Sequence, residues 1–188
     1  MKKSLLAALI LAICPLSQAA DNSSEGKTHT LGYGAGWGSI KSDTFYRNSE
    51  EHDHSLYYYN YRLNESWSVN VEHIQGDSNG GFLDINLFPG GADDFDRVNY
   101  KAYAVSLKGA VNLSNRWSLY GKLGGHAYKT EFTDSVNTNY DDDGFDINGA
   151  LGFEFRAYNG FGIGFEAGRI KLGDTQANTL GINLSYAF

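Results

Sequence analysis

The fold of this chain is decided by the stretch Leu180–Phe188, which reads LGINLSYAF. Large apolar side chains occupy every second position of this stretch, and small or polar side chains occupy the positions between them. Successive side chains of a β-strand point to opposite faces, so the stretch predicts a strand with one wholly apolar face. Such a face must lie against apolar surroundings along its whole length.

The same alternation recurs seven more times along the chain, which predicts eight strands. The other strands are expected at residues 28–40, 55–63, from 67, 100–113, from 117, 145–157 and from 161. Short turns are expected at Asn64–Ser66, Ser114–Arg116 and Tyr158–Gly160, because Asn, Ser and Gly readily form tight turns. Long loops are expected at residues 41–54, 75–99 and 129–144. An even number of strands with alternating short and long connections predicts an up-and-down barrel.

The apolar faces of these strands are assigned to lipid. A soluble barrel of the lipocalin type would turn its apolar face inward, but here the face assigned inward carries Gly, Asn, Ser, Lys and Glu, which cannot form a dry cavity. Backbone groups in a bilayer must be bonded within the protein, so the sheet must close, and eight strands are the smallest common closure. Trp67 and Trp117 each follow a short turn directly, where an aromatic girdle is expected.

These features resemble the small eight-stranded outer-membrane β-barrel proteins of the OmpA transmembrane-domain type and the OmpX–Ail type. The segment Tyr59–Leu63, before a tight turn, is similar to a Tyr-Arg-Tyr segment of OmpX and Ail proteins. The resemblance implies an all-β, antiparallel transmembrane barrel in the bacterial outer membrane, a monomer in contact with outer-membrane lipid and lipopolysaccharide. It also implies that the barrel-assembly machinery reads a signal made of Leu184, Tyr186 and Phe188.

The first residues predict an export signal. Lys2 and Lys3 precede an apolar run, Leu5–Leu16, that is too short to span a bilayer, and Ser17–Ala19 has the small-x-small pattern of a cleavage site. Cleavage one residue later is the alternative. We therefore expect three segments: a signal peptide at 1–19, a periplasmic segment at 20–27 and the barrel at 28–188. Without the two lysines the chain has 13 basic and 22 acidic residues, a formal charge of −9, which argues against a nucleic-acid partner.

Charged residues fall on the face assigned to the barrel interior. The predicted inward charges are Arg62, Glu72, Lys108, Lys122, Glu154, Arg156 and Glu166. A buried charge must be paired or hydrogen-bonded, and acid and base are nearly balanced in this set. We therefore predict a charge network that closes the lumen.

Three motifs suggest chemistry, and each has a simpler interpretation. His52 and His54 are spaced to face one side of an extended segment, as a metal site requires, but no second ligand cluster is evident and a solvated acidic loop is favoured. Asn139–Gly144 imitates the start of a calcium loop, but Ala150 stands where a bidentate Glu is needed. His126 has no Ser nearby, unlike the lipid A-modifying enzymes that share this fold. We expect no catalytic residue, no metal and no cofactor.

One long loop is unusually apolar. Its interaction candidates are Phe82, Leu83, Ile85, Leu87 and Phe88. Rigid barrels commonly carry their function on loops. The sequence therefore predicts a non-enzymatic barrel that acts through its outer loops in adhesion, surface interaction or envelope integrity, with a host or surface ligand as partner. A lipid A-modifying enzyme and a narrow channel are the alternatives.

Overall fold

The computed structural model describes residues 28–42, 50–78, 97–133 and 139–188. These residues form eight antiparallel strands in one closed barrel, in which every strand pairs with its neighbours in sequence and β1 pairs with β8. The strands are β1 (His29–Ser42), β2 (Glu50–Arg62), β3 (Trp67–Asp77), β4 (Arg97–Asn112), β5 (Trp117–Thr133), β6 (Asn139–Arg156), β7 (Phe161–Leu172) and β8 (Thr175–Ala187). Among the described residues, no helix has the length and hydropathy needed to cross a bilayer.

The strands are steeply staggered around the barrel. Starting from Leu56 and moving from register partner to register partner through β3, β4 and β5, one reaches Gly144 on β6. Moving the other way, through β1, β8 and β7, one reaches Glu154 on the same strand. The stagger around the barrel is therefore ten residues, the separation of Gly144 and Glu154. In a closed barrel such a stagger goes with strands tilted by roughly 35–45° and with an interior that side chains can fill.

The two ends of the barrel differ. At one end, here the turn end, β2, β4 and β6 connect to the next strand through tight turns. Asn64 Oδ1 accepts hydrogen bonds from the backbone N–H groups of Ser66 and Trp67, at 2.9 Å each. Gly160 closes the third turn with a φ of 99°, a conformation that favours glycine. The other end, here the loop end, carries three longer connections and the two-residue turn Gly173–Asp174 between β7 and β8.

An apolar belt surrounds the part of the barrel that adjoins the turn end. Its exposed outward side chains include Leu31, Trp37, Tyr57, Val71, Tyr103, Leu107, Leu123, Phe145, Leu151, Phe165, Leu180 and Leu184. Large apolar groups of this number are exposed only where their surroundings are apolar too, as in the hydrocarbon core of a bilayer. We call this part of the barrel the membrane half, and the part between the belt and the loop end the projecting half.

Within single strands, the apolar side chains lie on the outer face in the membrane half and on the inner face in the projecting half. Along β4 toward the loop end, the outward residues change from apolar to polar, in the order Val111, Leu107, Tyr103, Lys101, Asn99. The inward residues change in the opposite sense, in the order Lys108, Ser106, Ala104, Ala102, Tyr100, Val98. The buried apolar cluster of the described residues accordingly lies inside the projecting half, with Ile40, Tyr100 and Leu172 among its members.

The predicted eight-stranded transmembrane barrel is confirmed, but several strands are longer than predicted. β2 begins at Glu50, β4 begins at Arg97 and β6 begins at Asn139, so most of the predicted loop residues 41–54 and 129–144 lie in strands. The prediction ended each strand where its outward apolar residues ended, whereas the strands continue with the apolar residues facing inward. The predicted segments 1–19 and 20–27 lie outside the described residues.

Candidate functional site

Two linked charge clusters fill the lumen of the membrane half. In the first cluster Lys122 pairs with Glu72 and with Glu166, the latter at 2.9 Å between Nζ and Oε1. The three side chains are 6%, 1% and 12% exposed, respectively, so all three charges are removed from solvent. The Tyr120 hydroxyl donates a hydrogen bond of 2.9 Å to Glu166 Oε2. Each carboxylate therefore faces a buried cation, which is what buried charges require.

The second cluster lies nearer the turn end and is centred on Glu154. Lys108 Nζ is 3.0 Å from Glu154 Oε2, and Arg156 pairs with the other carboxylate oxygen. Arg156 Nη1 also donates to the Gly160 carbonyl at 3.3 Å, which ties the cluster to the third turn. Lys108 Nζ lies 3.8 Å from the centre of the Tyr120 ring, so Tyr120 contacts both clusters.

The structure brings six of the seven predicted lumen charges together, and Arg62 is the exception. Arg62 ends β2 at the turn end, where its side chain is exposed to solvent. The alternation assigned Arg62 to the inward face correctly by parity, but parity does not report how far a residue lies from the mouth of the barrel. The prediction that Arg62 belongs to the buried network is therefore wrong.

Glycines of β1 make room for large side chains of β2. The inward positions of β1 include Gly32, Gly36 and Gly38. A Cβ at Gly32 would collide with the Tyr58 ring, and a Cβ at Gly36 would lie 2.6 Å from Cε1 of His54. The glycine repeat therefore lets the rings of β2 cross the narrow lumen.

On the loop-end side of the charge clusters, the lumen holds little free space. A small cavity there is lined by Glu72, Lys122, Asn148 and His54, and the volume open to the centre of a water molecule is about 20 Å³. Glu72 Oε2, His54 Nδ1 and Asn148 Oδ1 are buried without a hydrogen-bond partner in the described structure. A cavity of this size holds about one water molecule, which could satisfy such atoms.

His52 and His54 are strand residues, not members of a solvated loop. Both lie on β2 with their side chains inward, at 3% and 8% exposure, and His52 Nε2 is 3.2 Å from the Tyr100 hydroxyl. The prediction of a solvated acidic loop is wrong because β2 extends five residues further than its outward tyrosines indicate. Among the described residues no group of three or more His, Cys, Asp or Glu could hold a metal ion.

The other two motifs also lie in strands. Asn139–Gly144 forms the start of β6 and pairs with β5, so its backbone is extended and does not wrap around an ion. His126 faces the lumen from β5 and is 1% exposed. Phe82–Phe88 lies outside the described residues, and its role as an interaction site stays a prediction.

The predicted assembly signal lies on the outer surface of the membrane half. Leu184, Tyr186 and Phe188 are 46%, 51% and 52% exposed. The Phe188 N–H donates to the His29 carbonyl at 2.8 Å, and the His29 N–H donates to the Phe188 carbonyl at 3.1 Å. These residues therefore complete the β1–β8 seam that closes the barrel, and their recognition by the assembly machinery stays a prediction.

In the projecting half, the β5–β6 hairpin rises beyond β7. β6 pairs with β5 from Asn139 to Phe155, but its pairing with β7 ends at Asn148 and Ile170. Residues 139–147 of β6 therefore have a strand on one side only within the described structure. The hairpin surface is charged: Lys129 lies 2.8 Å from Glu131 and 3.2 Å from Asp141, and its hydrogen bonds to these carboxylates raise the pKa of Lys129.

The family model for the outer membrane protein beta-barrel domain matches residues 5–188 of the chain. No curated protein matches the sequence significantly. Ail, the attachment invasion locus protein of Yersinia pestis, has a similar structure, with a TM-score of 0.60 and 20% identity over 88% of this chain and 100% of Ail. Neisserial surface protein A has a TM-score of 0.64 and 7% identity over 88% and 100% of the two chains.

A third similar structure is the amino-terminal β-barrel domain of Pseudomonas aeruginosa OprF. Its TM-score is 0.59 and its identity is 9%, over 87% of this chain and 100% of the OprF domain. Ail has also been solved in complex with the heparin analogue sucrose octasulfate, and that chain is 22% identical to this one. At these identities the likeness shows the shared barrel fold.

Proposed function

The chain belongs to the family of outer membrane protein β-barrel domains, and from this membership we propose that it is a non-enzymatic barrel with a closed lumen that acts through its projecting half. Adhesion, surface interaction and envelope integrity are the roles that such a surface supports. The barrel lies in the bacterial outer membrane with its turn end toward the periplasm, so the projecting half faces the outside of the cell.

One observation carries this proposal: the β5–β6 hairpin presents an open strand edge beyond the membrane. Within the described residues, positions 139–144 of β6, which lie beyond the belt residue Phe145, lack a strand on the side that faces β7. Such an edge offers backbone donors and acceptors to an added strand, a common mode of peptide recognition. Asp141 and Asp143 are exposed beside it, and charges of this kind discourage self-association while leaving the edge open to a basic partner.

The lumen supports the interaction function over the channel alternative. The charge clusters fill the membrane half, and the apolar cluster around Ile40, Tyr100 and Leu172 fills the projecting half. An ion would have to cross both layers, and Ile40, Val98 and Leu172 of the apolar layer present no ligand atoms to it. We expect purified protein to give little conductance in planar bilayers, and a large steady conductance would contradict a closed lumen.

The position of His126 argues against the enzymatic alternative. A lipid-modifying site must be open to lipid, whereas His126 is 1% exposed and faces the lumen. We therefore expect lipid A from expressing cells to keep its mass. A mass change that is lost in His126→Ala would establish the enzyme in place of the adhesin.

The interaction surface can be tested by trimming the hairpin. Lys129 and Asp143 are register partners, so replacing Thr130–Asp142 with Asn-Gly joins them by a two-residue turn. A second variant deletes Phe82–Phe88, and a control replaces residues 43–49 with Asn-Gly. Heat-modifiable gel mobility confirms that each variant folds.

Cells that express each variant are then scored for binding to an immobilised basic peptide and to a cultured epithelial monolayer. The basic peptide is the first probe because the exposed Asp141 and Asp143 flank the open edge. We expect at least one of the two changes, the trimmed hairpin or the Phe82–Phe88 deletion, to abolish binding. The control is expected to bind like the parent. Binding that survives removal of both segments would refute the proposal.

A further inference from the structure

Two histidines lie side by side inside the projecting half. His52 and His54 occupy neighbouring inward positions of β2, both are buried, and their ring centres are 6.2 Å apart. On the outward face of the same segment, Glu51 and Asp53 stand where the belt has tyrosines, so this part of β2 lies outside the membrane. Both rings are therefore withdrawn from water in the half of the barrel that water surrounds. We call His52 and His54 the histidine pair.

Each ring of the histidine pair packs against the backbone of β1. A Cβ at Gly38 would be 3.0 Å from Cε1 of His52, and a Cβ at Gly36 would be 2.6 Å from Cε1 of His54. The Nδ1 atoms of both histidines are buried without a hydrogen-bond partner in the described structure. An imidazolium has two N–H donors, so protonation would leave a buried donor without an acceptor in each ring, which costs free energy.

The surroundings of His52 offer little compensation for a positive charge. Its Nε2 atom is 3.2 Å from the Tyr100 hydroxyl of β4, and Tyr100 belongs to the apolar cluster. The other titratable groups beside it are His54 and Asp53 on β2, and the Asp53 carboxylate is on the outward face. On β1 the neighbour is Gly38. Burial and, to a smaller extent, the neighbouring His54 lower the pKa of His52 to about 4.

His54 borders the first charge cluster of the lumen. The charged residues next to it or around the same cavity are Lys122 on β5, Glu72 on β3, and Glu166 and Arg169 on β7. The Arg169 side chain is exposed on the outer face, whereas both carboxylates pair with Lys122. These carboxylates offset part of a charge on His54, and no carboxylate in the same position serves His52.

The remaining histidines of the barrel are placed differently. His126 is also buried and inward, but its register partner on β6 is Asp146, so a positive charge there would meet a carboxylate. His73 is on the outward face of β3 and is only half-buried. The histidine pair is therefore the place in the described lumen where two like charges would arise next to an apolar interior.

We propose that the histidine pair is an acid-sensitive latch that holds the projecting half closed. On acidification both rings take up protons, and the two charges repel each other within a buried interior. The loop-end segments of β1 and β2 then separate from the apolar cluster, so that water reaches the rings. The ion pairs described in the membrane half involve no histidine, and they hold the rest of the barrel together. The latch acts on the lumen side, whatever the outer surface binds.

The direction of the pH effect follows from the protons bound in each form. A histidine whose pKa is lower in the closed form than in the open form binds fewer protons when closed, so a falling pH favours the open form. For His52 the two pKa values are about 4 and, in water, 6.5. The closed form therefore keeps its full stability above pH 6.5, loses it progressively toward pH 4, and loses no more below that. Each histidine can shift the equilibrium on the order of a hundredfold.

Opening can be measured by backbone amide hydrogen exchange of the folded chain in phosphatidylcholine nanodiscs. Rates are taken at about pH 7 and about pH 4 and are corrected for the pH dependence of the chemical exchange step. We expect protection of residues 36–42, 50–55 and 97–102 to fall at least about tenfold at the lower pH. Protection of residues 117–123 in the membrane half is expected to stay unchanged.

The double variant His52→Gln, His54→Gln is expected to lose this acid response, and His52→Gln alone is expected to lose the larger part of it. The matched control is His73→Gln, which removes an outward histidine and is expected to keep the full response.

A response that persists in the double variant would show that carboxylates control the opening, and it would overturn the proposal. Equal loss of protection in both halves would mean that acid unfolds the whole barrel and that no latch exists. If the double variant does not fold, the unaltered chain decides the question through deuterium exchange at the imidazole Cε1–H, which reports the protonation of each ring. Protonation of His52 that coincides with the loss of protection would support the latch. A His52 that is protonated at about pH 6 while the projecting half stays protected would refute it.

Discussion

The membrane half and the projecting half are built from the same eight strands, yet their side chains are arranged in opposite senses. In the membrane half Leu107 and Leu123 face outward and Lys122 and Glu72 face inward. In the projecting half Lys101 faces outward and Tyr100 faces inward. The surrounding medium explains the difference, because lipid favours an apolar exterior and water favours an apolar interior.

The two halves are consequently stabilised by different forces. Paired charges fill the membrane half, where a missing partner would leave a charge stranded in a narrow lumen. Close-packed apolar side chains fill the projecting half, as in the core of a soluble protein. Substitutions that ignore this difference should therefore have effects that depend on which half they alter.

The largest effect is expected from Lys122→Met. This change leaves Glu72 and Glu166 buried without their shared cation, and removal of one partner from a buried pair costs about 3–5 kcal/mol. Urea unfolding of the barrel in lipid vesicles, followed by tryptophan fluorescence, measures the loss. The exposed Lys129→Met is the control, and equal losses in the two variants would show that the lumen is wet enough to solvate its carboxylates.

A slightly smaller effect is expected from Ile40→Ala in the projecting half. Ile40 is fully buried, so the change leaves a cavity and should cost roughly 2–5 kcal/mol. Leu31→Ala on the same strand is the control, since Leu31 is 54% exposed in the belt and lipid chains can fill the space it leaves. A larger loss for Leu31→Ala than for Ile40→Ala would contradict an apolar core beyond the membrane.

The smallest effects are expected from Leu123→Arg and Ala127→Arg on β5, which together test where the border between the two halves lies. Leu123 is 69% exposed within the belt, and an arginine facing mid-membrane lipid costs about 2–4 kcal/mol. Ala127 lies four residues closer to the loop end, and Ala127→Arg should cost roughly 0–1 kcal/mol. The same unfolding measurement compares the two variants. Similar costs at both positions would mean that the border lies elsewhere.

Most of the fold could be predicted because alternation is a local property of the chain. The apolar positions of Leu180–Phe188 already specify a strand and the face that meets lipid. The same reasoning assigned all seven charges to the inward face, but Arg62 lies exposed at the turn end, because parity carries no information on depth. His52 and His54 were placed in a loop because the apolar residues of β2 move to the other face at Leu56.

That reversal of phase is visible in the sequence of β7, where Phe161, Ile163 and Phe165 on one face give way to Ile170 and Leu172 on the other. A strand prediction that allows the apolar face to change would find the projecting half. No such rule finds the open edge of β6, since that edge depends on where β7 ends and turns into β8.

The sequence by itself determined the strands, their number and the faces of most side chains, because the period of two depends only on neighbouring residues. Tertiary structure alone decided which charges meet. Lys122 and Glu72 are 50 residues apart and come together only through the register of β3, β4 and β5 and the closure of the barrel. Register and stagger depend on all eight strands at once, and no local pattern in the chain records the result.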